Sequence, residues 1–375
     1  MYLAGFLLNI SYAFLVYIES SYLETYISKS LIGILFSIAA VVGIFLLAFL
    51  PRLLRSWGQL RLTRVVLSAT MLCVFGMAFA HSALQISIFF VLFYAIELAL
   101  WVLLDLYLEH VSTVKTTGDV RGHYLTINAL AFAISPLLVG KIVAALGYPP
   151  VYILSALMLI PVFFVLNAKI GAAPKKKFIA ASPLAGLRHA WSNKNILAIA
   201  STYFLLELFY CIMVIYTPIY LNSVLKMPWD QIGIVFTVML LPFVLFELPL
   251  GKIADKKLGE QELLIAGLCV MSAATITLSF ITSASVLLWS LALFGTRTGA
   301  SIVEVMNETY FFKHVRDSDA DVISFYRNAK PVAYIVGPLL ATGVLLFIPM
   351  QSLFALLGLL LLVGLYPAFS LEDTL

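Results

Sequence analysis

Long apolar segments recur from one end of the chain to the other, separated by short polar stretches. A helix needs about 20 mainly apolar residues to cross the hydrocarbon core of a bilayer. Twelve segments meet this requirement: residues 2–18, 30–50, 64–81, 85–106, 123–146, 150–168, 196–218, 231–250, 262–282, 285–308, 323–346 and 350–370. The pattern therefore predicts an all-α polytopic membrane protein with twelve transmembrane helices.

The composition excludes a soluble protein. Of the 375 residues, 62% are hydrophobic and 11% are charged, whereas a soluble domain contains about 25% charged residues. The expected surroundings are a lipid bilayer, and no nucleic-acid partner is expected because no basic patch lies in a soluble domain. Cys73, Cys211 and Cys269 all fall within apolar segments, so we expect small core residues and no disulfide framework.

Lysine and arginine positions predict the orientation. Seventeen of these residues fall on one side of the predicted spans and three on the other, and cytoplasmic loops carry the excess of positive charge. Both termini are therefore predicted to be cytoplasmic, in a multi-pass protein of the plasma or inner membrane. The first segment lacks the basic start and cleavage site of a signal peptide, so we expect it to be a mature span.

The chain also contains an internal repeat. Three colinear matches recur at offsets of 198 to 202 residues: 6–8 (FLL) with 204–206, 32–37 (IGILFS) with 232–237 (IGIVFT), and 136–138 (PLL) with 338–340. Nearly constant offsets indicate two six-span halves in parallel orientation.

Two parallel six-span repeats with a basic linker resemble the major facilitator superfamily of secondary transporters. Residues 251–259 (GKIADKKLG) are similar to the family's loop signature G-x-x-A-D-R/K-x-x-G, with Gly251, Asp255 and Gly259 at the matching positions. In the first half, residues 51–58 (PRLLRSWG) depart from the signature, because Arg55 takes the position of the aspartate. The resemblance implies an N-terminal bundle (1–168), a cytoplasmic linker (169–195) and a C-terminal bundle (196–375).

Three charged residues, Glu97, Glu207 and Arg297, fall near the middle of predicted spans 4, 7 and 10. Such charges are costly and usually face a cavity or a partner. Spans 1, 4, 7 and 10 line the central cavity in the superfamily, so the resemblance implies that the three residues share one space. We expect the two carboxylates to compete for Arg297 and one of them to carry a coupling proton. The alternative is a static buried ion pair that fixes helix packing.

Helical spacing extends these charges into polar and aromatic stripes. The residues predicted to line a substrate and proton cavity are Asn9, Tyr12, Tyr94, Glu97, Trp101, Glu207, Tyr210, Arg297, Ser301 and Glu304. The stripe on span 1 also contains Glu19, and that on span 7 contains Tyr203. For the aromatic members, ordinary helix packing is the alternative.

The loop signature implies a cytoplasmic gate. Carried over from the family, Asp255 faces Arg121 at the start of span 5, where the amino terminus of a helix adds positive potential. By pseudo-symmetry, Arg55 faces Asp321 at the start of span 11. The alternative is that these are solvated charges that only serve the positive-inside bias.

The sequence is thus expected to encode a secondary active transporter that moves a small organic solute by alternating access. We expect proton coupling, with efflux antiport ahead of uptake symport, and a monomer. No cofactor or metal is expected, and no enzymatic activity, because no metalloprotease, nucleophile-elbow or P-loop motif occurs. A transporter-like receptor or scaffold, or a membrane-embedded enzyme, is the alternative.

Overall fold

A computed structural model describes residues 2–111, 117–169, 188, 191, 193–254, 259–315 and 320–372. Within these ranges the chain is helical and has no strand. The helices are α1 (Tyr2–Leu15), α2 (Glu19–Glu24), α3 (Lys29–Trp57), α4 (Gln59–Ala78), α5 (Ala83–Val111), α6 (Thr117–Leu146), α7 (Pro149–Lys169), α8 (Lys194–Ile219), α9 (Trp229–Ala254), α10 (Glu260–Leu278), α11 (Val286–His314), α12 (Ala320–Arg327), α13 (Ala329–Leu345), α14 (Met350–Leu362) and α15 (Leu365–Phe369). A π-helical turn, Tyr220–Val224, follows α8.

Nine stretches of the described ranges are long and apolar enough to cross a bilayer. They are Gly5–Glu24, Lys29–Trp57, Gln59–Ala78, Ala83–Leu104, Lys194–Val224, Trp229–Phe246, Glu260–Leu278, Val286–His314 and Met350–Phe369. Helices α6 and α7 contribute the shorter apolar stretches Leu130–Leu146 and Pro149–Phe164. The all-helical prediction is confirmed, whereas the count of twelve spans stays a prediction.

The first and the eleventh predicted segments differ from the helices in the structure. The first runs on to Glu24 through a tight turn, in which the Ile18 amide donates to the Leu15 carbonyl at 2.9 Å. Glu19 therefore lies inside the apolar stretch and is only 3% exposed. The eleventh is divided at Asn328 into α12 and α13. In the first segment, the hydropathy pattern predicts the end of the span before the charged Glu19. Because Glu19 is buried, the apolar stretch continues past it.

The expected loop after span 2 is reduced to Gly58, since α3 ends at Trp57 and α4 begins at Gln59. Gly58 has a φ of +76°, a conformation that glycine adopts without steric cost. Arg55 consequently lies in the last turn of α3 and is exposed. Cys269 is exposed too, which corrects the expectation of a core residue, while Cys73 and Cys211 are buried.

The described residues form two compact units. The first, unit 1, comprises the residues before position 180 together with Pro228–Gly233. The second, unit 2, comprises the described residues between position 180 and Met227, and those from Ile234 onwards.

In unit 1, an apolar core lies between α1, α3, α4, α5 and α7. Ser11 on α1 and Ser155 on α7 exchange hydrogen bonds: the Ser11 hydroxyl donates to the Ser155 carbonyl at 3.0 Å, and the Ser155 hydroxyl donates to the Ser11 carbonyl at 2.9 Å. Trp229 Nε1 donates to the Tyr148 hydroxyl at 2.9 Å. Burial raises the pKa of Tyr148 to about 12, so this hydroxyl stays neutral. Polar contacts of this kind join helices where apolar contact alone is not specific.

In unit 2, small residues let the helices approach closely. A Cβ at Gly299 on α11 would lie 2.3 Å from the Met271 amide nitrogen on α10. A Cβ at Gly358 on α14 would lie 2.9 Å from the Ser272 carbonyl oxygen on the same α10. Helix α10 is therefore held on two sides by backbone contacts that a larger residue would block.

Large apolar side chains cover the outside of the helices. Leu72, Phe280 and Phe347 are 70%, 78% and 88% exposed, a degree of apolar exposure that is unfavourable in water and is satisfied by lipid.

We predict that Gly299→Ala lowers the stability of the protein by about 1–3 kcal/mol, the usual cost of overpacking. The new methyl group would have to displace the Met271 backbone. Thermal unfolding in detergent measures the change. The unfolding is monitored by the reaction of a maleimide dye with the thiols of Cys73 and Cys211, which are buried in the folded protein. Gly343→Ala is the matched control, since no atom lies within 4 Å of its new Cβ. Equal midpoints for the two variants would contradict the close contact.

Candidate functional site

Unit 1 brings three of the predicted cavity residues together. Glu97 on α5 is 7% exposed and accepts a hydrogen bond from Trp101 Nε1, one helical turn later, at 2.9 Å. The edge of the Tyr12 ring on α1 packs against Trp101, with the ring centroids 5.9 Å apart. A buried carboxylate on α5 is thereby linked to an aromatic pair that joins α5 to α1.

Two other predicted residues of unit 1 have contacts within their unit, and their role in a cavity stays a prediction. The Asn9 amide is buried and donates to the Gly5 carbonyl of its own helix at 2.8 Å. The Tyr94 ring contacts Phe36 and Phe90, at centroid distances of 6.1 Å each. These contacts are those expected of helix packing, the alternative interpretation of the stripes.

In unit 2, Arg297 on α11 is 2% exposed. Its guanidinium carbon lies 5.0 Å from the Phe209 ring centroid and 5.2 Å from that of Tyr210, both on α8. These are cation–π distances. Among the described residues, Nε and Nη1 of Arg297 have no hydrogen-bond partner.

Two carboxylates of unit 2 lie close to tyrosines. The Tyr210 hydroxyl donates to Glu304 Oε2 on α11 at 2.6 Å. Glu207, 6% exposed, interacts with the Tyr203 hydroxyl one turn earlier on α8. Tyr210 also lies within electrostatic range of Glu207 and Arg297. The structure thus brings Glu207, Tyr210, Arg297 and Glu304 together within unit 2, and their role in a cavity stays a prediction.

Ser301 is buried on the same helix, and its hydroxyl donates to the Thr298 carbonyl at 2.9 Å. That bond satisfies the hydroxyl within α11. The role of Ser301 in a cavity stays a prediction.

Sequence reasoning gave no role to Phe209, and no signal in the sequence marks it, because a phenylalanine within an apolar span is ordinary. Its position under Arg297 follows only from the packing of α8 against α11.

Glu19 in unit 1 is a second group to which the sequence assigned little weight. It is 3% exposed, and its Oε1 has no hydrogen-bond partner among the described residues. The buried Tyr152 hydroxyl nearby has none either. The signal available in the sequence was the charge itself, placed at the predicted edge of a span.

The predicted gating residues are only partly described. Gly251 lies near the end of α9, Gly259 immediately precedes α10, and Asp321 lies in the first turn of α12. Asp255 and the side chain of Arg121 lie outside the described residues. Over the ranges that are described, no cluster of three or more histidine, cysteine or acidic side chains could hold a metal ion.

Comparison with known proteins identifies a family and a similar fold. The family model of the Major Facilitator Superfamily matches residues 1–328 and 209–374. The solved structure titled "Crystal structure of nucleoside transporter NupG" is similar in fold, with a TM-score of 0.81 and 12% sequence identity over 98% of this chain and 97% of that one. No curated protein matches the sequence.

We predict that Trp101→Phe destabilises the protein by about 1–3 kcal/mol, because the buried Glu97 carboxylate loses a hydrogen-bond donor. Trp191→Phe is the matched control, since Trp191 is 71% exposed. Thermal unfolding in detergent compares the two variants. Equal shifts would show that the indole hydrogen bond to Glu97 adds nothing to stability.

Proposed function

Because the chain belongs to the major facilitator superfamily of membrane transporters, we propose that it is a proton-coupled secondary active transporter of a small organic solute. We propose alternating access between two six-span halves, 1–168 and 196–375, joined by the linker 169–195. Both termini lie in the cytoplasm and the protein acts as a monomer in the cell membrane. Efflux in exchange for protons is the first mode to test, ahead of uptake with protons.

The state of Arg297 is the observation that carries this proposal. A charged group inside a membrane span is costly and is usually functional. Arg297 is almost fully buried, yet the described residues of its own unit offer Nε and Nη1 no acceptor. A static ion pair inside unit 2 would have used those nitrogens. Their availability supports a role in binding or coupling rather than in packing.

Glu97 and Glu207 are the proposed coupling carboxylates. Both are buried. Glu97 accepts a hydrogen bond from Trp101, one turn later on α5, and Glu207 interacts electrostatically with Tyr203, one turn earlier on α8. A neutral donor steadies a carboxylate without cancelling its charge, so a proton or a cation still has to do so. We propose that the two carboxylates compete for Arg297 and that one of them carries the proton.

A cytoplasmic gate completes the proposed cycle. We propose that Asp255 meets Arg121 and that Arg55 meets Asp321, with Gly251 and Gly259 framing the aspartate loop. Arg55 is exposed in the last turn of α3, and Asp321 lies in the first turn of α12. Each charge has the sign that its helix end favours. These positions support an exposed, solvent-facing contact.

The solute has to be found by experiment. The similarity to NupG, a nucleoside transporter by its title, is one of fold at 12% identity. Nucleosides therefore belong in the first set of solutes tested, next to organic acids and organic cations. A ligand that binds the folded protein raises its melting temperature by mass action, which identifies the solute for transport assays.

We predict that Glu97→Gln and Glu207→Gln each lower accumulation driven by a pH gradient about tenfold, the factor equal to about 1.4 kcal/mol of lost coupling. Exchange of labelled for unlabelled solute should continue. Proteoliposomes with a trapped pH dye measure both. Glu262→Gln, an exposed position on α10, is the control. Unchanged accumulation in both variants would exclude the proposed coupling, and no solute movement at all would favour a receptor or scaffold.

We predict that cysteines at positions 121 and 255, in a background without the three native cysteines, cross-link more when the cytoplasmic side is closed. The yield is measured with and without the solute and the pH gradient. Equal yields under all conditions would argue against a gate at this pair.

A further inference from the structure

We propose that Arg297 binds the carboxylate of an organic acid, so that the solute of this protein is an organic monocarboxylate with an apolar, planar body. This inference rests on the proposed function and specifies its substrate class. It follows from the burial of Arg297, from two of its nitrogens that have no acceptor among the described residues, and from the aromatic rings beside it.

The hydrogen-bond donors of the Arg297 guanidinium indicate a bound anion. An arginine carries five N–H donors and stays charged. Arg297 is 2% exposed, and Nε and Nη1 find no acceptor in the described part of the chain. Leaving buried charged donors unsatisfied is costly, and a ligand that accepts their hydrogen bonds removes that cost.

The neighbouring carboxylates of unit 2 lie close to tyrosines. Glu304, two turns after Arg297 on α11, receives the Tyr210 hydroxyl at 2.6 Å, and Glu207 interacts with Tyr203. No ion pair of Arg297 occurs among the described residues, although other charged side chains of the unit are paired. Tyr210 thus engages Glu304, and within the described part of the chain the Arg297 guanidinium has no ion-pair partner.

Arg327 of the same unit shows what a satisfied arginine looks like. Its Nη1 and Nη2 donate to the two carboxylate oxygens of Glu308 at 2.8 and 3.0 Å. This is the bidentate geometry that makes arginine and carboxylate a specific pair. Arg297 has the same donors, but its Nε and Nη1 have no acceptor within the described ranges.

The charge of Arg297 and the rings beside it indicate the class of ligand. One guanidinium balances one negative charge, which matches a monocarboxylate better than a phosphate dianion. The Phe209 and Tyr210 rings, 5.0 and 5.2 Å from the guanidinium carbon, offer apolar and π surface beside that charge. A planar, apolar body attached to the carboxylate fits these surroundings.

Tyr210 has a positioning role in this arrangement. By hydrogen bonding Glu304 it occupies the carboxylate that would otherwise compete with a ligand for Arg297. Removing only the hydroxyl, in Tyr210→Phe, should therefore weaken acid binding while leaving the ring next to the guanidinium.

The experiment compares acids with their neutral amides on the purified full-length protein: acetate with acetamide, benzoate with benzamide, and indole-3-acetate with indole-3-acetamide. Affinities come from thermal stabilisation titrations. At least one acid should bind better than its amide, the aromatic acids most strongly. Arg297→Gln should lower that preference about 10- to 100-fold, the range of a hydrogen bond to a charged group. Arg297→Lys should lower the preference for the acid about tenfold, because lysine lacks the planar guanidinium that binds both carboxylate oxygens. Tyr210→Phe should also lower this preference about tenfold, because Glu304 can then compete with the acid for Arg297.

Arg52→Gln is the matched control, because Arg52 also lies over an aromatic ring but is exposed. The preference of this variant for an acid over its amide should not change. If Arg297→Gln does not fold, Arg297→Lys and Tyr210→Phe decide. An equal affinity for every acid and its amide, or a preference that survives in all the site variants, overturns the inference. Acid binding that depends on Arg297 without solute transport in proteoliposomes would instead refute the proposed function and leave the anion site standing.

Discussion

The constraint on which the rest of this structure depends is that a polar group inside a bilayer must be satisfied within the protein. For the backbone this means helices, and every described element is helical. The same constraint explains why the helices meet at small residues. Gly299 and Gly358 bring α10 into backbone contact with α11 and α14, since apolar side chains gain little from leaving a lipid for another apolar surface.

Polar side chains follow the same rule. Ser11 and Ser155 satisfy each other's helices in unit 1, and Thr202 donates to Asn307 at 2.6 Å in unit 2. Most of the remaining hydroxyls of the spans return to a carbonyl of their own helix, as Ser301 does. Some buried polar groups have no partner among the described residues, and Arg297 is the charged example that the proposed function depends on.

The two units carry different chemistry at comparable places. In unit 1, Glu97 is bound by an indole and backed by Tyr12. In unit 2, Glu207 and Glu304 have tyrosine partners and Arg297 lies on aromatic rings. Unit 1 thus places a buried acid beside aromatic rings, and unit 2 places a buried acid and a buried base beside aromatic rings.

Hydropathy alone determined the class of this protein, because apolar segments long enough to span a bilayer are a local property of the chain. The loop signature and the internal repeat pointed to the superfamily that the family model shows, and the rarity of charge inside spans singled out Glu97, Glu207 and Arg297.

Tertiary structure decided the partners. Only packing placed Phe209 beneath Arg297, directed Tyr210 to Glu304, buried Glu19 inside the first span and turned the expected loop at Arg55 into helix. The physical reason is that the cost of a buried charge depends on atoms a few ångströms away. Those atoms belong to other helices, and helical spacing along one segment carries no information about them.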